Sequence, residues 1–292
     1  MTYPAGPPSA GGTPPHGGPA VCVRHPDRPT ALSCTRCRRP SCPDCLREAS
    51  VGYHCVDCVA EGRGRVRRAT TVAGAEPGGR SVVVPALVVL NLLAFAGTAL
   101  VAGSIGRNFD SPLFADLALV GQAVAAGEVW RPVTSGFLHI GPLHLAFNMF
   151  ALWILGRDME ILLGRGRFLA VYFLSMLGGA AAVMVLMPPN ALVAGASGAV
   201  FGVMGGLLVA LLRLRRPTGQ VVTLLAVNLA LGFFIGGIAW EAHVGGLIVG
   251  AAATAVLVYA PPTRRGPVQT GGLAVLSVLV LAVIAGAAVF VV

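Results

Sequence analysis

The 292-residue chain is 55% hydrophobic and only 11% charged, with a mean hydropathy of +0.77. About a quarter of the residues in a soluble domain are charged, so this composition excludes a soluble globular protein and defines a polytopic membrane protein. The net charge of +9 does not call for nucleic acid, because arginine-rich short loops on the cytoplasmic side of a membrane give the same balance.

In chain order, residues 1–20 are rich in Pro and Gly and carry neither an apolar core nor an early basic cluster. They read as a disordered tail rather than a signal peptide. Residues 21–60 hold all seven cysteines. Cys22-x2-His25 is followed by Cys34-x2-Cys37, Cys42-x2-Cys45 and Cys55-x2-Cys58. Such pairs bite one ion from a tight turn, so the eight ligands imply two tetrahedral zinc sites. The short gap between Cys37 and Cys42 favours cross-bracing, with the first pair joined to the third and the second to the fourth. An odd cysteine number argues against a disulfide framework. A segment this small buries little core, so the zinc is expected to be structural and the main source of its stability. The segment resembles a B-box-type zinc finger, with Cys55 and Cys58 in place of the usual histidines and His54 as a spare ligand for Cys55.

A basic linker over 61–81 follows, with Arg63, Arg65, Arg67, Arg68 and Arg80. The membrane domain is expected over 82–292. Its apolar runs predict seven spans, at about 82–102, 143–163, 168–187, 197–213, 220–239, 241–260 and 273–292. The stretch between the first two is too polar or broken to span and is expected partly in the interface. Counting arginines puts thirteen on the side of the linker and two, Arg107 and Arg131, on the other. That bias places the N-terminus in the cytoplasm and the C-terminus outside, where reduced thiolate ligands also belong in the cytoplasm.

Polar residues that a span should not tolerate carry the functional signal. His144 and Asn148 are four apart and share one helix face. Ser197 opens one apolar run and His243 sits in the first turn of another. With the spans threaded as above, His144, Ser197 and His243 reach one depth near the outer face, with Asn148 about 6 Å deeper. A serine beside a histidine is a nucleophile beside its base. The helix start at Ser197–Gly198 offers free N–H groups to an oxyanion, and Asn148 and His144 can add donors. Beyond Ile161 the only carboxylate is Glu241, on the wrong side of its helix to orient His243, so a Ser–His dyad rather than a triad is expected. Gly246 and Gly250 on one helix, and Gly198, Gly202, Gly205 and Gly206 on another, form small faces that let two backbones approach.

Over about residues 125–260, these motifs resemble a rhomboid-family intramembrane serine protease. The carriers are Trp130-Arg131, His139, His144-x3-Asn148, Gly195-Ala196-Ser197-Gly198 and Ala242-His243-x2-Gly246-x3-Gly250. The resemblance implies an all-α, six-helix core with one extra C-terminal transmembrane helix. It implies a Ser197–His243 dyad, with His144, Asn148 and Gly198 at the oxyanion and substrate-binding positions. It further implies single-span transmembrane protein substrates cut near the outer face, and a gate formed by the fifth span and the Gly236–Glu241 loop. A multi-pass protein of the plasma membrane, in contact with lipid, is expected, with an unidentified protein partner for the zinc finger and no cofactor for catalysis. Weighed against this is a catalytically silent protein of the same fold that binds membrane clients. Individually, Ser197 could be a small packing residue, His243 a structural histidine and Asn148 interhelical glue. Glu160 reads as an ion-pair or loop hydrogen-bond residue, with Arg157 or Arg165 as candidate partners.

Overall fold

The computed structural model describes residues 20–65, 69–234 and 236–291. The expected tail over 1–20 lies, save for Ala20, outside the described residues, as do Arg67 and Arg68 of the linker. The chain divides into two compact units, Met1–Arg68 and Ala69–Val292.

The first unit is built on turns. Strand β1 (Val21–Cys22) pairs antiparallel with β2 (His25–Pro29), and β3 (Leu46–Glu48) pairs antiparallel with β4 (Tyr53–Cys55), which runs into helix α1 (Val56–Arg65). Its buried apolar residues are almost all cysteines, with Leu46 beside them.

The second unit starts with α2 (Val83–Ala102). Three short helices follow in the connection to the next long one: α3 (Pro112–Leu117), α4 (Gly121–Ala125) and α5 (Arg131–Thr134). The long helices are α6 (Gly141–Leu163), α7 (Arg165–Leu186), α8 (Ser197–Arg213), α9 (Gly219–Phe234), α10 (Trp240–Tyr259) and α11 (Arg265–Val291). Helices α2, α7, α10 and α11 are each long and apolar enough to cross a membrane, and α6, with the segment bent by 94° before it, makes a fifth candidate. Helices α8 and α9 stand where spans four and five are expected, but at 17 and 16 residues they are shorter than the roughly 20 residues a 30 Å hydrocarbon layer needs. The stretch expected as one linker over 61–81 is divided. Residues 61–65 continue α1, whereas 69–81 belong to the membrane unit. There Thr71 Oγ1 donates to Leu162 C=O at 2.7 Å and Ala73 is fully buried.

Helix α8 is the inner post of the bundle, with ten buried residues between Gly198 and Ala210. Its glycines explain why. A Cβ on Gly246 or Gly250 of α10 would land on the backbone of Gly198 or Gly202, and one on Gly205 would lie 2.7 Å from Leu247 C=O. The two helices therefore touch backbone to backbone, as the small-residue faces predict. Gly246→Ala is expected to force them apart, costing about 1–3 kcal/mol of stability, as overpacking does. Thermal unfolding in detergent checks this, and unchanged stability would contradict the close contact.

Two polar groups buried in the bundle, Glu160 and Gln269, have identified work. Helix α2 has no cap of its own at Val82. The Glu160 carboxylate supplies one from α6, accepting from Ser81 Oγ at 2.6 Å and from the N–H groups of Val82, Val83 and Val84 at 2.8, 2.9 and 3.0 Å. A carboxylate at a helix N-terminus satisfies orphan donors and opposes the positive dipole end. Of the two roles expected for Glu160, hydrogen bonding to the loop is the one shown. Glu160→Gln, which replaces one acceptor oxygen by a donor, is expected to cost about 1–3 kcal/mol, and equilibrium unfolding of the variant tests it. At the other end of the chain, Gln269 fastens α11: its Nε2 donates to Ala73 C=O and Leu257 C=O, and its Oε1 accepts from Arg167 Nε.

Candidate functional site

Ser197 is the first residue of α8. The chain reaches it through Gly195 at φ +142°, a conformation that favours glycine, and Gly195 N–H is held by Ser135 C=O at 3.0 Å. The approach is further pinned by mutual hydrogen bonds between Leu119 and Val193 at 2.9 Å. The first helical bond at this end runs from Val200 N–H to Ala196 C=O. The N–H groups of Ser197, Gly198 and Ala199 are thus left without an intrahelical acceptor.

Helix α10 brings His243 to the serine. His243 Nε2 lies 2.9 Å from Ser197 Oγ, and the imidazole is 7% exposed. Phe201, one turn along α8 from Ser197, stacks on the ring at 4.1 Å and 9°. A Cβ on Gly232 of α9 would lie 3.5 Å from His243 Nδ1. Among the described residues Nδ1 itself, which is buried, has no hydrogen-bond partner. Glu241, on the same helix, lines the cavity in front of the serine, and its Oε2 is buried and unpartnered. Among the described residues no carboxylate hydrogen-bonds to His243.

Helix α6 provides the facing wall. Its first turn carries His144, whose Nδ1 accepts from Ile140 N–H at 3.3 Å. A backbone N–H can only donate, so the neutral ring carries its proton on Nε2. That nitrogen is the one beside the serine loop: a Cβ on Gly195 would lie 2.9 Å from it and 3.6 Å from Ser197 Oγ. Asn148, one turn deeper, donates from Nδ2 to His144 C=O at 3.0 Å. His144, Asn148, Ser197 and His243 line one cavity of about 1220 Å³ between α6, α8, α9 and the 236–239 loop. Gly198 lines a second, small cavity of about 30 Å³ beside the serine turn, room for a water.

The loop residues are placed as supports. Arg131 is 6% exposed and ties the connection together, pairing with Glu128 and donating to Ala115 C=O and Ala118 C=O, both at 2.6 Å. His139 is fully buried, edge-on to His144 at 5.1 Å, and does not line the cavity. Phe201 was within reach of sequence reasoning, since it follows Ser197 at helical spacing. Gly232 was not, because nothing in α9 marks which glycine meets the histidine.

In the first unit, two groups of side chains fall together: Cys22, His25, Cys42 and Cys45, and Cys34, Cys37, Cys55 and Cys58, each with its ligand atoms within 4.8 Å of one another. First joins third and second joins fourth, the cross-braced pairing. The spacings fit an ion. Around a tetrahedral zinc, sulfurs lie about 3.8 Å apart and nitrogen about 3.5 Å from sulfur, from bond lengths near 2.3 and 2.05 Å. Cys37 Sγ and Cys55 Sγ are 3.7 Å apart, and His25 Nδ1 is 3.4 and 3.3 Å from the sulfurs of Cys42 and Cys45. No disulfide joins them. His54 is paired with Arg47 in the hairpin and lies outside the group that takes Cys55, because neighbours on a strand point to opposite faces.

The apolar helical bundle thus holds a serine hydroxyl on an imidazole at one helix end. The chain carries a rhomboid domain: residues 126–260 match that family's model. Over 140 residues it is 42% identical to rhomboid protease GluP of Bacillus subtilis, a match covering 46% of this chain and 27% of the relative. Over 132 residues it is 37% identical to the putative rhomboid protease YdcA of the same organism, covering 44% and 66%. Over 150 residues it is 34% identical to an Arabidopsis thaliana protein named inactive RHOMBOID-like protein 8, covering 48% and 41%. The chain thus spans less than two thirds of the length of each of these relatives.

Proposed function

We propose that this protein is an intramembrane serine endopeptidase that cleaves single-span membrane proteins near the outer membrane face. The observation carrying the reading is the 2.9 Å contact between Ser197 Oγ and His243 Nε2 inside a cavity that also holds His144 and Asn148. Ser197 attacks the scissile carbonyl while His243 Nε2 takes its proton. The oxyanion is met by the free N–H groups at the α8 start, with Gly198 among them, by His144 Nε2–H and by the Asn148 amide. His243 then protonates the leaving amine, and water releases the acyl group by the same route in reverse. The pair works as a dyad: Phe201 stacking holds the ring where a third residue would otherwise orient it.

The cavity, lined in part by α6 and α9, suits a substrate segment arriving sideways from the bilayer. With the arginine-rich ends of the helices on the cytoplasmic side, the dyad lies toward the outer face, the N-terminus inside and the C-terminus outside, in the plasma membrane. The two cysteine-rich groups hold structural zinc. They supply a folded cytoplasmic unit for a protein partner and take no part in the chemistry.

The test is co-expression with a tagged single-span protein bearing a Gly- and Ala-rich segment near its outer end, together with labelling by a fluorophosphonate. Cleavage and labelling that both depend on Ser197 are expected. Folded protein that neither cleaves nor labels would favour the silent client-binding reading instead.

A further inference from the structure

Asn108 lies far from every motif in the sequence, in the connection between α2 and α6. It is fully buried, with both amide N–H groups and the amide oxygen hydrogen-bonded. Nδ2 donates to Thr98 Oγ1 at 3.0 Å and to His139 C=O at 2.8 Å, and Oδ1 accepts from Gly141 N–H at 2.9 Å. The amide orientation is fixed by these partners, since a flipped amide would set an oxygen against the His139 carbonyl. Thr98 Oγ1 can accept because its own proton goes to Phe95 C=O at 3.0 Å. One side chain therefore joins the last turns of α2 to the 139–141 segment.

That segment is an elbow. The chain bends there by 94° between the helical stretch ending at Phe137 and the start of α6. Gly141 has φ +74°, and α6 has no side-chain cap at Ile140. The middle residue of the elbow, Ile140, gives its N–H to His144 Nδ1. Asn108 grips the residues on either side of it, His139 by its carbonyl and Gly141 by its N–H. Holding the elbow thus holds the bond that keeps the His144 proton on Nε2, beside the serine. Asn108 itself does not line the cavity.

We infer that Asn108 is a positioning residue that acts through His144: it fixes the elbow so that Ile140 N–H sets the tautomer and orientation of the imidazole facing Ser197. The inference rests on the protease reading above. Without the clamp the elbow relaxes, His144 can carry its proton on either nitrogen, and the oxyanion loses a preorganised donor.

The experiment is a double-mutant cycle on the full chain in detergent, with Asn108→Ala, His144→Ala and both together, measuring kcat and KM on a cleaved single-span substrate. Removing an oxyanion donor outright costs about 10²–10³ in kcat. Loosening one is expected to cost roughly 10-fold in kcat with KM within about twofold. In the His144→Ala background, Asn108→Ala should then cost less than about twofold, because coupled residues are not additive. Thr98→Val, which keeps shape and removes one partner of the clamp, is the second variant should Asn108→Ala fail to fold. It should show the same dependence on His144 with a smaller loss. Equal losses in both backgrounds, or a lower unfolding temperature with kcat unchanged, would assign Asn108 to stability alone and overturn the inference. A parent chain that neither cleaves nor labels would overturn the protease reading and this inference with it.

Discussion

Replacing Ser197 by alanine is expected to abolish both substrate cleavage and fluorophosphonate labelling while leaving the fold intact. Ser197 Oγ makes its one side-chain hydrogen bond to His243 and is only partly buried, so its loss leaves no cavity of consequence. The chemical loss is total for labelling, since the probe bonds to that oxygen. His243→Ala keeps the oxygen but removes its base. In serine hydrolases, losing either member of such a pair costs several orders of magnitude in kcat, and here the loss is expected to be on the order of 10³-fold or more. Labelling should fall in parallel, because it too needs the Ser197 hydroxyl deprotonated. His243→Ala also exposes Phe201, which stacks on the ring, so it should unfold at lower temperature than Ser197→Ala. Labelling of the His243 variant at the parent's rate would show that the imidazole does not activate the serine, and a dyad mechanism would then be wrong.

The comparison with the inactive plant relative sharpens this test. A relative named as inactive is 34% identical over 150 residues, close to the 37% over 132 residues of one named a putative protease. Family membership alone therefore does not decide activity, and the Ser197–His243 geometry must carry it.

What could be read in the sequence follows from what each residue must satisfy. Polar residues in apolar runs stand out, because a membrane span tolerates them only for a reason. His144, Asn148, Ser197 and His243 were visible on that ground, and the structure puts all four on one cavity. The glycine faces of α8 and α10 were visible for a related reason, since only a missing Cβ permits their backbone contact. Hydropathy also located every long helix to within a few residues, except α11, which begins at Arg265 rather than near 273. Its first two turns include Gln269, a residue that reads as polar loop until its three partners are seen. Asn108 was illegible in the same way, and for Glu160 the kind of role could be read but not the partners. The partners of Asn108 lie 10, 31 and 33 residues away and those of Glu160 76 to 79, and most are on the backbone, where sequence carries no trace of them. The pairing of cysteines was legible because ligand spacing constrains it, whereas the fate of His54 required the strand that points it away.

Stripping metal from the first unit is expected to unfold it and leave the serine site unaffected. The unit has two short hairpins, one helix and a core made of cysteines, so little apolar surface holds it. Each structural zinc site is worth about 10–16 kcal/mol of apparent binding energy at pH 7, against the few kcal/mol that a domain of this size gains from its core. The thiols themselves show what the ion must do. Burial, together with the neighbouring sulfurs, pushes the Cys58 thiol up to about 12, and burial with Cys42 and Cys22 nearby pushes Cys45 up to about 11. The Cys42 backbone N–H draws Cys22 down to about 6. Three sulfurs in one group and four in the other, this close together, cannot all ionise without a cation between them, so metal binding must expel protons and must weaken as pH falls. The full chain should carry two equivalents of zinc, falling to one in Cys45→Ala or Cys58→Ala. A strong chelator should open residues 20–65 to proteolysis while fluorophosphonate labelling at Ser197 persists. Protection that survives complete metal removal would show that the hairpins fold unaided. Loss of labelling on chelation would make the metal part of the working site and overturn its structural role.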